Sequence, residues 1–315
     1  MKKITFFLLL LLGFGAVAAQ TVTTKANFSC PGYVTVTYDL VSNDPVDVTL
    51  YYSRDKCTWL LAQTVTGDLL AQTTGTGKTI TWNNYTDNVR FGKFFFKVEG
   101  PCVMINSICW ATRNLDVGGG FCANPEDYGA LYQWGRQSDG HESPTSGTAV
   151  GPVSVLDLNG QVPVGDPAYG KFIIDATPPY DWRTPQNDHL WNAGTDSSPI
   201  KTVNDPCPSG WRTPTQVELE SLGQTTFVTS VWTTENGIDG RRFTDIATGN
   251  DIFLPAAGTR DIFSGGLYGG GMYGYYWSSN VDTDNAFYME FNSGNMYYGS
   301  MPRTSSYCVR CVLDK

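Results

Sequence analysis

Eight cysteines, two histidines and a dense run of tyrosines are the residues of this chain whose types could carry chemistry. A zinc or redox site built on Cys308 and Cys311 would need a second matching Cys pair or neighbouring histidines. Neither lies beside them, so the cysteines read as structural disulfides, and no metal or cofactor is expected. His141 and His189 both fall in a polar loop region with no nucleophile motif beside either. Two carboxylates for glycoside hydrolysis would meet in space and not in sequence, so the chain leaves that alternative open.

The stretch from Tyr268 to Tyr307 points to binding. It holds eight of the 17 tyrosines, mixed with Ser, Asn and Gly. Tyrosine gives large contact area at low rotamer entropy, and the small polar residues give adaptable hydrogen bonds, as in antibody paratopes. The candidate ligand-binding residues are Tyr273, Tyr275, Asn280, Asp282, Asp284, Asn285, Tyr288, Asn295, Tyr297 and Tyr298. One side of Phe287-Tyr-Met-Glu-Phe must be buried, so about half of these tyrosines are expected in the core. Asp282-Thr-Asp-Asn offers hard oxygen ligands for calcium, but a solvated turn is the expected reading.

These residues need a scaffold. Lys2 and Lys3, the apolar run Phe6 to Leu12 and the small residues Val17-Ala-Ala mark residues 1–19 as a signal peptide, with no later transmembrane segment expected. Export fits disulfides. Position favours Cys207 with Cys311 and Cys30 with Cys57, leaving Cys102, Cys109, Cys122 and Cys308 near the first and last strands of the second domain. The net charge of −9 argues against nucleic acid and anionic membranes as partners.

Residues 20–100 read as an all-β sandwich of immunoglobulin or fibronectin-III shape. Tyr33-Val-Thr-Val-Thr-Tyr and Asp47-Val-Thr-Leu-Tyr-Tyr-Ser alternate with period two, and Lys78-Thr-Ile-Thr-Trp and Lys93-Phe-Phe-Phe-Lys-Val add later strands. Residues 101–315 read as an α+β domain. Val103 to Ala111 is a hairpin turning at Asn106-Ser107, and Asn124-Pro-Glu-Asp starts a helix that Tyr128 to Trp134 continue. Ser138 to Ile200 is a long polar loop of the functional or locally ordered kind. In Asn204 to Leu222, Thr213 is placed as N-cap, Pro214 as the first helical residue and Gln216 as the capping-box partner. Strands around Asn236-Gly follow, then Asn250 to Leu254. The closing run Cys308 to Lys315 alternates like a short strand and is expected beside the Cys207 loop.

Four motifs occur in order in this second part: Cys207-Pro-Ser-Gly-Trp-Arg-Thr-Pro-Thr, Leu254-Pro-Ala-Ala-Gly-Thr-Arg, Gly274-Tyr-Tyr-Trp-Ser-Ser and Val309-Arg-Cys-Val. Together they resemble the FISUMP family of bacterial secreted domains. The resemblance implies a C-type-lectin-like fold, distantly similar to formylglycine-generating enzymes. The terminal Val-Arg-Cys fits the closing structural cysteine of those enzymes, and the spacing of Cys308 and Cys311 differs from their active pair. Glu-Pro-Asn and Trp-Asn-Asp, the calcium-lectin signatures, are absent: Trp277 is followed by two serines. The expectation is an exported periplasmic, cell-surface or extracellular binding or adhesion protein that recognises a protein or glycan ligand. A self-associating surface component is the alternative, and an enzyme the third reading.

Overall fold

Alternation builds the first body. The computed structural model describes residues 25–29, 32–40, 48–54, 60–70, 72–73, 75–89, 94–99, 102–174 and 177–314. The proposed signal peptide, Cys30 and Cys57 therefore lie outside the described residues. The strands run β1 Lys25–Ser29, β2 Tyr33–Leu40, β3 Thr49–Ser53, β4 Leu60–Leu61, β5 Val65–Gly67, β6 Gly75–Asn83 and β7 Phe95–Glu99. They form two sheets, β1-β2-β6-β5 and β4-β3-β7. Every second residue of β2 points inward (Val34, Val36, Tyr38, Leu40) and meets Ile80 and Trp82 of β6 and Leu50 of β3 in one apolar cluster. This is a β-sandwich in which both sheets contribute one face to the core.

The second body is also β-rich. Its first strands, β8 Cys102–Ile105 and β9 Ile108–Ala111, turn at Asn106 (φ 48°) and Ser107 (φ 66°). Both turn residues are left-handed, as a two-residue hairpin turn of this hand requires. Then come β10 Tyr132–Gln133, β11 Thr148–Val150, β12 Phe172–Ile174, β13 Trp211–Arg212 and the helix α1 Gln216–Ser221. Strands β14 Val228–Glu235, β15 Ile238–Asp245 and β16 Asp251–Pro255 form a meander, with Asn236 and Gly237 at the first turn. The chain continues through β17 Thr259–Arg260, β18 Leu267–Tyr268, β19 Gly274–Asp282, β20 Asn285–Phe291, β21 Met296–Pro302, β22 Ser306–Tyr307 and β23 Val312–Leu313.

Three expectations about helices need correction. Among the described residues α1 is the one α-helix, so the α+β expectation gives way to a β-rich architecture. No helix forms over 124–134. Gly129 sits at φ 73°, and a Cβ there would lie within 3.1 Å of the Leu115 carbonyl, the Asn114 Cβ and the Cys122 sulfur. A left-handed glycine pressed against its neighbours excludes the helix expected from Asn124-Pro125. The cap of α1 is also two residues later than expected. Thr215 caps the helix, its hydroxyl accepting from the Glu218 N–H while the Glu218 carboxylate accepts from the Thr215 N–H. Arg212 grips the same carboxylate through two 2.6 Å bonds. A charged residue at the third helical position, held from both sides, outweighs Gln216 in that role.

Disulfides and indoles hold the loops. Cys207 pairs with Cys311 (Cα–Cα 6.1 Å), as position suggested, and Cys102 pairs with Cys109 (Cα–Cα 5.4 Å). The closing strand β23 lies between β13 and β9 in the sheet β13-β23-β9-β8, beside the Cys207 loop. The described residues of the long segment 138–200 pack around four buried tryptophans whose N–H groups are spent on backbone carbonyls. Trp134 donates to Ser278, Trp182 to Trp134, Trp191 to Arg136 and Trp277 to Tyr132. Satisfying each indole lets these large side chains pack with 0% exposure.

A tight approach inside β19 gives a first test. A Cβ on Gly274 would lie within 2.7 Å of three ring carbons of Phe291, itself 1% exposed and packed against Tyr276, Phe243 and Trp232. Gly274→Ala is expected to destabilise this body by about 1–3 kcal/mol. An unchanged urea midpoint in that variant would contradict this packing.

Candidate functional site

The sheet β19-β20-β21 has two unlike faces because strand side chains alternate. One face carries Tyr276, Met289, Phe291, Met296 and Tyr298, which pack into the core shared with α1. The other carries Tyr275, Trp277, Tyr288, Glu290 and Tyr297. The register sets their order: Tyr275 faces Glu290, Trp277 faces Tyr288, and Glu290 faces Tyr297.

On this second face the rings form a continuous series. Tyr268 stacks on Tyr273 (6.4 Å between centroids), Tyr273 on Tyr275 (6.0 Å) and Tyr275 on Tyr307 (4.9 Å). Tyr307 continues to Tyr288 (5.1 Å), and Tyr288 meets Tyr297 edge-on (6.4 Å). Below them Trp277 lies 4.2 Å from Tyr307. The two ends, Tyr268 and Tyr297, are 59% and 60% exposed, whereas Trp277 is fully buried. The series is thus anchored at its middle and open at its ends. Gly299 makes room for the last ring: a Cβ there would fall within 3.0 Å of the Cε1, Cζ and hydroxyl oxygen of Tyr297.

Burial and a neighbouring charge keep Tyr275 and Tyr288 as neutral phenols. Burial first, and then the charge of Glu290, push the Tyr275 and Tyr288 hydroxyls well above the usual tyrosine range. Glu290 is half-buried, and its carboxylate accepts from the Tyr288 hydroxyl at 3.4 Å. Among the described residues no lysine, arginine or histidine pairs with it.

The other candidates from the sequence scatter. Tyr273, Tyr275, Tyr288 and Tyr297 share the ring face, with Tyr288 only 7% exposed. Tyr298 turns to the opposite face, into the core. Asn280 accepts from the Gln216 N–H at 2.9 Å and so serves the start of α1. Asp282 is exposed at the hairpin tip and accepts from the Ser300 hydroxyl at 2.8 Å. Asn285 is half-buried at the start of β20, and Asn295 is exposed in the turn that the Asn292 side chain closes. Asp284 lines a separate open cleft of about 640 Å³ with Arg183, Gln186, Asp188, His189 and Thr283. Four residues of the ring face were not among the candidates: Tyr268, Trp277, Glu290 and Tyr307. For Glu290 the signal was present, since i, i+2 spacing from Tyr288 puts both on one side of a strand.

Two clusters could suggest catalysis or metal binding, and both are internally satisfied. The Asp139, His141 and Glu142 donor atoms lie within 4.8 Å of one another. The His141 Nε2, however, accepts from the Gln133 backbone N–H at 3.1 Å, and Nδ1 lies 2.6 Å from the Asp139 carboxylate. Glu142 accepts from the Gly118 and Gly140 amides. Burial, and after it the Arg136 guanidinium, hold the imidazole's pKa down, so it stays neutral with its lone pair already used. The second cluster is Cys122 and Cys308, both buried free thiols. Burial, then the charge of Asp116, pushes Cys122 up to about 12, and burial also pushes Cys308 well above the usual thiol range. Thiols held protonated in this way are poor nucleophiles and poor metal ligands.

Comparison of the chain with protein-family models, curated proteins and solved structures returns no match. Among the described residues no helix is long and apolar enough to cross a membrane.

Proposed function

We propose that the chain is an exported binding or adhesion protein of the bacterial surface or periplasm. It recognises a protein or glycan through the tyrosine face of β19-β20-β21. The observation that supports this most directly is the ring series from Tyr268 to Tyr297, open to solvent at both ends and braced by buried Trp277. Rigid amphipathic rings on a fixed sheet lose little entropy on binding and still offer hydroxyl donors and acceptors. The motifs of residues 103–315 support membership of the FISUMP family, with a C-type-lectin-like fold that presents ligand ahead of its closing strand. The sandwich in residues 20–100 then acts as an immunoglobulin- or fibronectin-III-like spacer. The disulfides are compatible with export after removal of residues 1–19. No enzymatic activity, cofactor or calcium is part of this reading. Protonated buried thiols, a saturated His141 and a hairpin-tip Asp282 held by Ser300 all favour recognition over catalysis.

The test is capture of ligands by oxidised residues 20–315 on glycan and surface-protein arrays, with and without chelator. Tyr297→Ala is expected to weaken a captured ligand at least about tenfold while leaving the unfolding midpoint unchanged, because this ring is mostly exposed. Binding abolished by chelator would overturn the metal-free reading and point to Asp282 and Asp284. Absence of any captured ligand, with concentration-dependent self-association, would overturn recognition in favour of a structural surface component.

A further inference from the structure

The carboxylate in the middle of the ring face narrows the ligand class. Glu290 stands on β20 with Tyr275 directly opposite on β19 and Tyr297 directly opposite on β21. Residues so paired across a sheet hold their Cβ atoms about 5 Å apart. Tyr288 lies two residues earlier on the same strand and the same face, its hydroxyl 3.4 Å from the Glu290 Oε2. The carboxylate is therefore flanked by aromatic rings on three sides.

Such a placement is unfavourable in the free protein. Aromatic faces carry negative potential, half-burial strips water from the carboxylate, and among the described residues one long hydrogen bond is its compensation. The same arrangement suits a cation. Ring faces and a carboxylate attract an ammonium or guanidinium together, and a partly desolvated cation–π contact is stronger than an exposed one. Arg and Lys elsewhere in the described chain do not reach the face, so the missing charge must come from outside. The chain's net charge of −9 adds a long-range pull in the same direction.

We infer that this face is a docking site for a protein segment that inserts a cationic side chain, Arg or Lys, between Tyr275 and Tyr297 onto Glu290. This rests on the recognition reading above and specifies its ligand. Tyr288 orients the carboxylate through its hydroxyl. Tyr297, the exposed ring, covers the aliphatic stem of the incoming side chain, and Gly299 leaves that ring room in its present position.

The probe is the capped tripeptide Gly-Arg-Gly and its citrulline counterpart, which keeps the shape and removes the charge. The full oxidised chain is titrated with each while the tyrosine ring resonances are followed. The arginine peptide is expected to bind about tenfold more tightly than the citrulline peptide, and Glu290→Gln to abolish that preference with an unfolding midpoint no lower than the parent's. Equal affinity for the two peptides, no binding of either, or an undiminished preference in Glu290→Gln would overturn the cation site. The two readings fail separately. An array ligand that is lost in Tyr297→Ala and kept in Glu290→Gln overturns the cation site and leaves recognition by this face standing. If neither variant affects any captured ligand, both fall.

Discussion

Arg310→Met is expected to destabilise the second body by about 3–5 kcal/mol. The Arg310 side chain is fully buried, and among the described residues it has no acidic partner. It instead spends its donors on three acceptors in two distant segments. Its Nε donates to the Asn114 Oδ1 at 2.9 Å, Nη1 to the Ala111 carbonyl at 3.1 Å and Nη2 to the Phe253 carbonyl at 2.9 Å. Burying the guanidinium costs desolvation, and Met would remove that cost. Met would also leave three buried acceptors without a donor, at about 1–3 kcal/mol each. The orphaned acceptors outweigh the relieved charge, so the sign is destabilising. Asn114 also links Tyr128 and Tyr276, so the damage spreads beyond the carbonyls Arg310 touches. Arg310→Lys is expected to recover less than half of the loss, because one ammonium does not reproduce a planar fork aimed three ways. Urea unfolding followed by tryptophan fluorescence checks both variants; a Met variant within about 1 kcal/mol of the parent would mean that the strut carries little.

The second large effect belongs to the long disulfide. Cys207 and Cys311 are 104 residues apart, Cys102 and Cys109 only seven. In the chain-entropy account a loop of the first length constrains the unfolded state by about 4.7 kcal/mol and one of the second by about 2.5 kcal/mol. The pair Cys207→Ala with Cys311→Ala should therefore lower stability by about 2 kcal/mol more than Cys102→Ala with Cys109→Ala. Denaturant midpoints of the two double variants, measured under oxidising conditions, decide the comparison. Equal losses would show that local packing at Cys102, and not loop length, governs the effect.

Much of the fold was legible because it rests on local rules. The turns at Asn106-Ser107 and Asn236-Gly237 were readable from residues that tolerate left-handed backbone. Strand β2 was readable from simple alternation, and the return of β23 beside Cys207 from two cysteines and a short alternating run. What failed were features decided by tertiary contacts. Thr213 and Thr215 are equal caps on paper, and the choice falls to Thr215 because Arg212 fixes Glu218 in place. The expected helix over 124–134 yields to the crowding around Gly129. The site was legible in type and not in detail. A tyrosine-rich stretch was visible, but which tyrosines share a face depends on the register of three strands. That register sends Tyr298 inward and brings Glu290 between Tyr275 and Tyr297. Tyr307 joins the face from a different sheet, which no local pattern foretells.

The position of β23 carries a consequence for how the chain reaches this structure. The strand formed by Val312–Leu313 is last in order among the described elements, yet it lies inside its sheet, with β13 on one side and β9 on the other. Strand β9 and the Cys207 loop thus wait for residues made some two hundred and one hundred positions later, respectively. Cys102 can find Cys109 at once, whereas Cys207 has no correct partner until Cys311 has been synthesised. Contacts of such separation make for slow acquisition of structure. The order of oxidation follows from the topology, with the short loop sealed early and the long one last, as a seal on an already assembled sheet.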